Sequence, residues 1–226
     1  DFLFQQRVWY LTRTPSIDGL TSGGDNISVE HNHGTIYRIK PRTNLEVNRW
    51  WISDEIRWGW KFIHDESRHR LPVLRGHDGW SEADADTAWD AALAAAMDGL
   101  RGRRLGALIS PMLTCEDAWL LGRLIRRLDP DAMLAVGPVP VSGEDKTFPG
   151  GYTVRAEKAP NARGVRRVLD ALGGSVTDAA GFEAALNGNG PEAVLLTGNY
   201  PSEWVTESLR AAMGDRFTVL LDTMPN

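Results

Sequence analysis

Cysteine is almost absent from this 226-residue chain: Cys115 is the only one, so no disulfide forms within it, which fits a reducing compartment. Histidine is sparse and one-sided, with all five before residue 78, so no Cys–His dyad is available to the later two thirds. No apolar run approaches the roughly 18 residues that a membrane-spanning helix needs, so direct membrane insertion is not expected. No signal or transit sequence opens the chain. Neither G-x-G-x-x-G nor a Walker A sequence occurs, which removes the strongest phosphate-binding signatures. Positive charge is not in excess: the net charge of −5 argues against nucleic acid as a partner. What remains is the composition of an ordinary globular protein, long enough for one large or two small domains.

The most informative stretch is residues 16–27, S-I-D-G-L-T-S-G-G-D-N-I. Asp18, Thr21 and Asp25 are separated by two and then three residues, and Ser53 stands where a distant fourth ligand would fall. This is C-x-x-C-x-x-x-C spacing without cysteine. An iron–sulfur cluster takes soft thiolates, normally four, whereas carboxylate and hydroxyl oxygens suit Mg²⁺ or Ca²⁺. Two readings follow for the oxygens. Asp18, Asp25 and Asp54 gather a hard cation, or the Asp and Ser side chains tie the loop to its own backbone in Asx- and ST-turns. The second is favoured, because no dense calcium-loop spacing is present.

The pattern of elements predicts an α/β protein. A small strand-rich N-terminal lobe, residues 1–75, precedes a doubly wound parallel-sheet domain, residues 76–226. Strands are expected at 7–11, 27–31 and 35–40, the last two joined by the turn Asn32-His33-Gly34. A helix is expected near 53–60 with Ser53 as its N-cap, and 67–79 reads as a linker broken by Pro72. Helices at 84–100, 114–128, 164–172, 179–186 and 203–213 alternate with strands at 105–109, 133–136, 193–196 and 217–221. That alternation implies a parallel sheet with helices on both faces. Between 137 and 161 lies a long loop rich in Pro and Gly.

Other candidates weigh less. His31-x-His33 lacks a partner at metal-ligand spacing. Trp9, Trp50, Trp51, Trp58 and Trp60 crowd the first lobe and read first as packing, second as an interface, and last as a path for electrons. Cys115 falls at the first turn of a helix, where the dipole favours a thiolate, but it reads better as a small structural residue. The turn at Gly198 and Asn199, and its counterpart at 110–114, lie at carboxyl ends of parallel strands, where such sheets bind ligands; they are weak pterin-type candidates. The arginine clusters at 101/103/104, 123/126/127 and 163/166/167 are interspersed with acids and read as solvated faces or contacts.

Four segments in order carry a family resemblance: D-F-L-F-Q-Q-R-V-W-Y-L (1–11), the loop at 16–27, I-Y-R-I-K-P-R (36–42) and V-N-R-W-W-I-S-D (47–54). The chain resembles the molybdopterin oxidoreductase superfamily and, more closely, the family formed by the G subunit of bacterial NADH:quinone oxidoreductase (respiratory complex I) and its mitochondrial 75 kDa counterpart. The resemblance is specific over the first third and rests on element order afterwards. It implies that residues 1–75 are an iron–sulfur-type segment lacking cluster cysteines, with Asp18, Thr21, Asp25 and Ser53 at the positions of lost ligands. It also implies a molybdopterin oxidoreductase-like domain after residue 76, truncated at its end. By resemblance, the chain is a fragment of a longer protein, a structural part that supports electron transfer from NADH. No cofactor is expected in it, and iron–sulfur clusters are expected in a missing N-terminal portion of the parent. Implied partners are other peripheral-arm subunits of complex I, in the cytoplasm at the inner face of the membrane, and no catalytic residue or metal site is assigned. The alternative is a piece of a molybdenum or tungsten pterin enzyme such as a formate dehydrogenase.

Overall fold

The computed structural model describes residues 4–76, 79–82 and 88–225. The chain divides into two compact units, Asp1–Glu66 with Val139–Ala162, and Ser67–Pro138 with Arg163–Asn226.

The first unit begins with a single 3₁₀ turn, Val8–Tyr10, and then a three-stranded antiparallel sheet: β1 (Thr12–Ile17), β2 (Asn26–Asn32) and β3 (Thr35–Pro41), with β2 central. The β2–β3 hairpin forms as its sequence predicts. His33 and Gly34 both take positive φ, 47° and 80°, the geometry of a two-residue type I′ turn. The strand expected at 7–11 is not there. Val8, Trp9 and Tyr10 are exposed in the 3₁₀ turn, and the strand begins one residue later, at Thr12 opposite His31. Cross-strand partners decide this: Arg13 bonds Glu30, and Thr14 lies 2.9 Å from the His31 ring. Local β propensity is a weaker constraint than such pairs. The buried Glu30 carboxylate is held between Arg13 and Arg38.

Helix α1 (Asp54–Trp58) starts at Ser53, whose hydroxyl accepts the Ile56 N–H at 3.3 Å. Ile56 closes a small core with Ile27, Ile39 and Ile52, and Trp60 packs against it from a following 3₁₀ turn, Gly59–His64. The expectation that the tryptophans fill this lobe is therefore corrected. Trp9, Trp50, Trp51 and Trp58 are exposed, because branched aliphatics already fill the core. Trp58 and Trp9 instead carry cations over their rings, from Lys61 and Arg7.

The second unit opens with β4 (Val73–Gly76) paired to β5 (Gly79–Glu82), so part of the expected linker is a hairpin. Helix α2 (Ala88–Leu100) follows; the first residues of the helix expected at 84–100 lie outside the described residues. Next come β6 (Leu105–Ile109), α3 (Cys115–Leu128) and β7 (Met133–Val136). The chain then contributes β8 (Lys146–Thr147) and β9 (Thr153–Val154), a short antiparallel pair, to the first unit. It returns with α4 (Ala162–Ala171), β10 (Val176–Thr177), α5 (Ala179–Leu186), β11 (Ala193–Thr197), α6 (Glu207–Met213) and β12 (Phe217–Leu221). β10 is a strand that the sequence pattern did not announce. The helix expected from 203 starts only at 207, because Trp204 and Val205 are buried in extended chain and Thr206 caps α6.

Five strands make one parallel sheet in the order β10-β7-β6-β11-β12. Side chains alternate between its faces. Ala107, Ile109, Leu134, Val136 and Leu195 meet Ala118 and Ile125 of α3 and Val165 and Leu169 of α4. Leu108, Ala135, Val194 and Leu196 meet Phe182 and Leu186 of α5 and Leu209 and Ala212 of α6. Helices thus cover both faces, as the continuous burial of β6 and β11 requires. The protein is mixed α/β, antiparallel in the first unit and parallel in the second.

Candidate functional site

The loop between β1 and β2, residues 18–25, is closed at its base by the Asp18 N–H donating to the Asp25 carbonyl at 2.8 Å. Within it the Asp18 carboxylate folds back on its own backbone. One oxygen accepts the Leu20 N–H at 2.8 Å; the other accepts the Thr21 N–H at 3.0 Å and the Thr21 hydroxyl at 2.5 Å. Thr21 Oγ1 in turn accepts the Gly23 N–H at 3.3 Å. These are the Asx- and ST-turns open to short polar side chains. Asp18, Thr21 and Asp25 are each only 3% exposed.

Asp25 looks elsewhere for its partner. Its Oδ2 accepts the Tyr152 hydroxyl at 2.7 Å, across 127 residues of chain. The Ser53 backbone amide lies beside the same phenol and partly offsets the rise in its pKa. Asn48, fully buried, ties the two halves of this region: it accepts the Asn26 N–H and donates to the carbonyls of Asn26, Arg42 and Trp51. The structure therefore gathers Asp18, Thr21 and Asp25 into one bonded set, while the Ser53 side chain caps α1. Asp54 does not join them; it is exposed in the first turn of α1. Tyr152 is the residue that sequence reasoning missed. It lies in the expected loop 137–161, just after Gly150 and Gly151, whose φ values of 94° and 86° shape the turn that delivers it. Those glycines mark a turn and nothing about its partner.

Burial sets the electrostatics. It pushes both the Asp18 and Asp25 carboxyls above the ordinary 3.8, and the proximity of Asp25 adds to the effect on Asp18. The Tyr152 hydroxyl and the Arg155 charge pull Asp25 the other way. Burial, then the bond to Asp25, raises Tyr152 well above the usual phenol. Among the described residues no group of three or more His, Cys, Asp and Glu side chains is arranged to hold a metal ion. His31 engages Thr14, and His33 sits in the hairpin turn.

The turn at Gly198 and Asn199 is filled from within its own unit. Asp222 accepts the Asn199, Thr223 and Met224 N–H groups with one oxygen and the Trp204 indole N–H with the other, at 2.7 Å. At the switch point between β6 and β11, Thr197 Oγ1 accepts the Ser110 N–H at 2.7 Å, and the buried Tyr200 hydroxyl donates to the Pro138 carbonyl at 2.6 Å. Cys115 is half-buried behind the Thr114 cap of α3.

Residues 11–61 match the family model described as NADH-ubiquinone oxidoreductase NDSU1/NuoG-like, 4Fe-4S domain. The chain is 32% identical over 128 residues to the G subunit of NADH-quinone oxidoreductase from Streptomyces coelicolor, covering 55% of this chain and 15% of that protein. It is 34% identical over 119 residues to the corresponding G subunit of Pseudomonas putida, covering 53% and 12%. To the mitochondrial NADH dehydrogenase [ubiquinone] iron-sulfur protein 1 of Solanum tuberosum it is 38% identical over 95 residues, covering 41% and 12%. The matched region thus spans less than a sixth of each of these relatives. None of them supports a formate dehydrogenase reading.

The family match corrects one expectation. The sequence pattern places iron–sulfur binding wholly outside this chain, with no cofactor within it, whereas the matched 4Fe-4S domain lies inside the chain, at residues 11–61. The side chains at its four spaced positions are a separate matter. They are two carboxylates and two hydroxyls, bonded to one another, to nearby backbone or to Tyr152, and they do not fit the thiolate set that a cluster takes. Residues 11–61 are thus similar to the NDSU1/NuoG-like 4Fe-4S domain, and bacterial and plant proteins of that kind resemble between 41% and 55% of the chain.

Proposed function

We propose that the chain is a structural part of a NuoG-type component of an NADH:quinone oxidoreductase, supporting electron transfer from NADH without supplying an acid, base or nucleophile. The observation that carries this reading is the match of residues 11–61 to an NDSU1/NuoG-like domain, together with relatives named as G subunits of NADH-quinone oxidoreductase. The internal bonding of the candidate site agrees with it, since Asp18, Thr21, Asp25 and Tyr152 spend their hydrogen bonds on one another and on the loop. Its partners are other peripheral-arm subunits, and it reaches the inner face of the membrane through them. No helix among the described residues is long and apolar enough to cross a membrane. The exposed Trp9, Trp50 and Trp51 supply the rigid aromatic area that such contacts favour. We read the parallel-sheet unit, Ser67–Pro138 with Arg163–Asn226, as the molybdopterin oxidoreductase-type domain.

The test is made in the source cells. A tagged copy of the chain's gene product, purified in mild detergent, should bring down the NADH-oxidising subunits, and disrupting the gene should lower NADH:quinone activity in membranes. A gene product that purifies without such subunits, from cells whose activity survives its loss, refutes the reading.

A further inference from the structure

The family frame ends at residue 61, yet the group seated at its centre comes from residue 152. Three contacts tie the stretch carrying Tyr152 to the frame. The Ser22 N–H donates to the Glu157 carbonyl at 3.1 Å, Lys158 Nζ bonds the Glu55 carboxylate at 2.6 Å, and the Tyr152 hydroxyl bonds Asp25 at 2.7 Å. The phenol is 7% exposed. Its oxygen bonds the side chain at one spaced position, Asp25. A phenol so placed occupies buried space against the third position of the C-x-x-C-x-x-x-C…C frame.

We propose that Tyr152 is the residue that decides what this frame can hold: it is a strut that fixes the 18–25 loop to its own segment, which Lys158 ties to Glu55 of α1, and it fills the room against the loop. The four oxygen-bearing side chains and the tyrosine form one device, so exchanging the ligands alone does not open the frame. The inference concerns Tyr152 and is independent of the assembly role proposed above.

Two experiments on the 226-residue chain test it. In the first, Asp18→Cys, Thr21→Cys, Asp25→Cys and Ser53→Cys are combined, with Tyr152 either kept or changed by Tyr152→Gly, and each protein is incubated anaerobically with iron and sulfide. Circular dichroism selects folded material; iron content, visible absorbance and electron paramagnetic resonance report the cluster. Iron should stay near background while Tyr152 is present and rise to about four per chain once it is removed. Equal loading of both proteins, loading of neither, or loading of the unaltered chain overturns the proposal. The second experiment holds if the cysteine variants do not fold. Tyr152→Phe should speed hydrogen exchange within 18–25 by roughly tenfold or more, as expected when a bond to a carboxylate is lost. Unchanged exchange there overturns the strut.

Discussion

Replacing Asp18 with Asn tests whether the loop is held by a carboxylate or only by a shape. Asp18 presents two acceptor oxygens to three donors: the Leu20 N–H, the Thr21 N–H and the Thr21 hydroxyl. Asparagine has one oxygen, and its NH₂ group must face one set of those donors. The Thr21 hydroxyl can turn away, but a backbone N–H cannot. One buried N–H is therefore orphaned, at a cost of about 1–3 kcal/mol. For a chain of this length each kcal/mol moves Tm by roughly 2–4 °C. The pH dependence then separates mechanisms. The folded-state carboxyl of Asp18 titrates above its ordinary 3.8, so its contribution to stability is complete below that value and is lost as pH rises through the folded value. The variant lacks this titration. Asp25, Tyr152 and Arg155 remain around the site in both proteins. The gap in Tm between wild type and Asp18→Asn, followed by calorimetry from acid to neutral pH, should be widest in acid and narrow towards neutrality. A gap that widens with pH would mean that the loop holds the ionised carboxylate best, and the reasoning would be wrong.

Glu30→Gln should show the opposite pH behaviour. Burial alone would raise the Glu30 carboxyl, but the bonds and charges of Arg38 and Arg13 outweigh it and hold the group below its usual value; its contribution is present above the unfolded pKa and lost as pH falls through the folded one. A loss of about 1.5–3 kcal/mol at neutral pH, shrinking in acid, is the expected result of denaturant titrations. Thr197→Val keeps the shape of a side chain 1% exposed but removes the acceptor of the Ser110 N–H, which should cost about 1–3 kcal/mol of unfolding free energy, read from urea titration. Gly198→Ala would place a methyl 1.6 Å from the Asp222 carboxylate and 2.5 Å from the Trp204 indole nitrogen. It should break their bond and alter the near-ultraviolet dichroism of Trp204; an unchanged spectrum with unchanged stability would count against the filled turn described above.

Much of the local structure was legible because it depends on neighbours in sequence. Ser53 and Thr114 cap helices as their hydroxyls predict, and His33-Gly34 makes the hairpin that two positive φ values permit. The apolar runs at 105–109 and 193–196 could satisfy burial on both faces only in a parallel sheet between helices. The C-x-x-C-x-x-x-C spacing of Asp18, Thr21 and Asp25 was visible too, since one short loop carries all three. What tertiary structure alone decided is where long-range partners meet. Trp9, Trp50, Trp51 and Trp58 have the composition of a core, yet Ile27, Ile39, Ile52 and Ile56 reach that core first and leave the indoles outside. Residues 7–11 have strand propensity, but the register set by Glu30 and His31 starts the strand at Thr12. The Tyr152–Asp25 bond joins two residues 127 apart that share no period, motif or propensity. A hydrogen bond of that kind is written in the folded path of the chain: only when 139–162 packs with the first unit does a tyrosine in a glycine turn come within reach of the buried loop carboxylate.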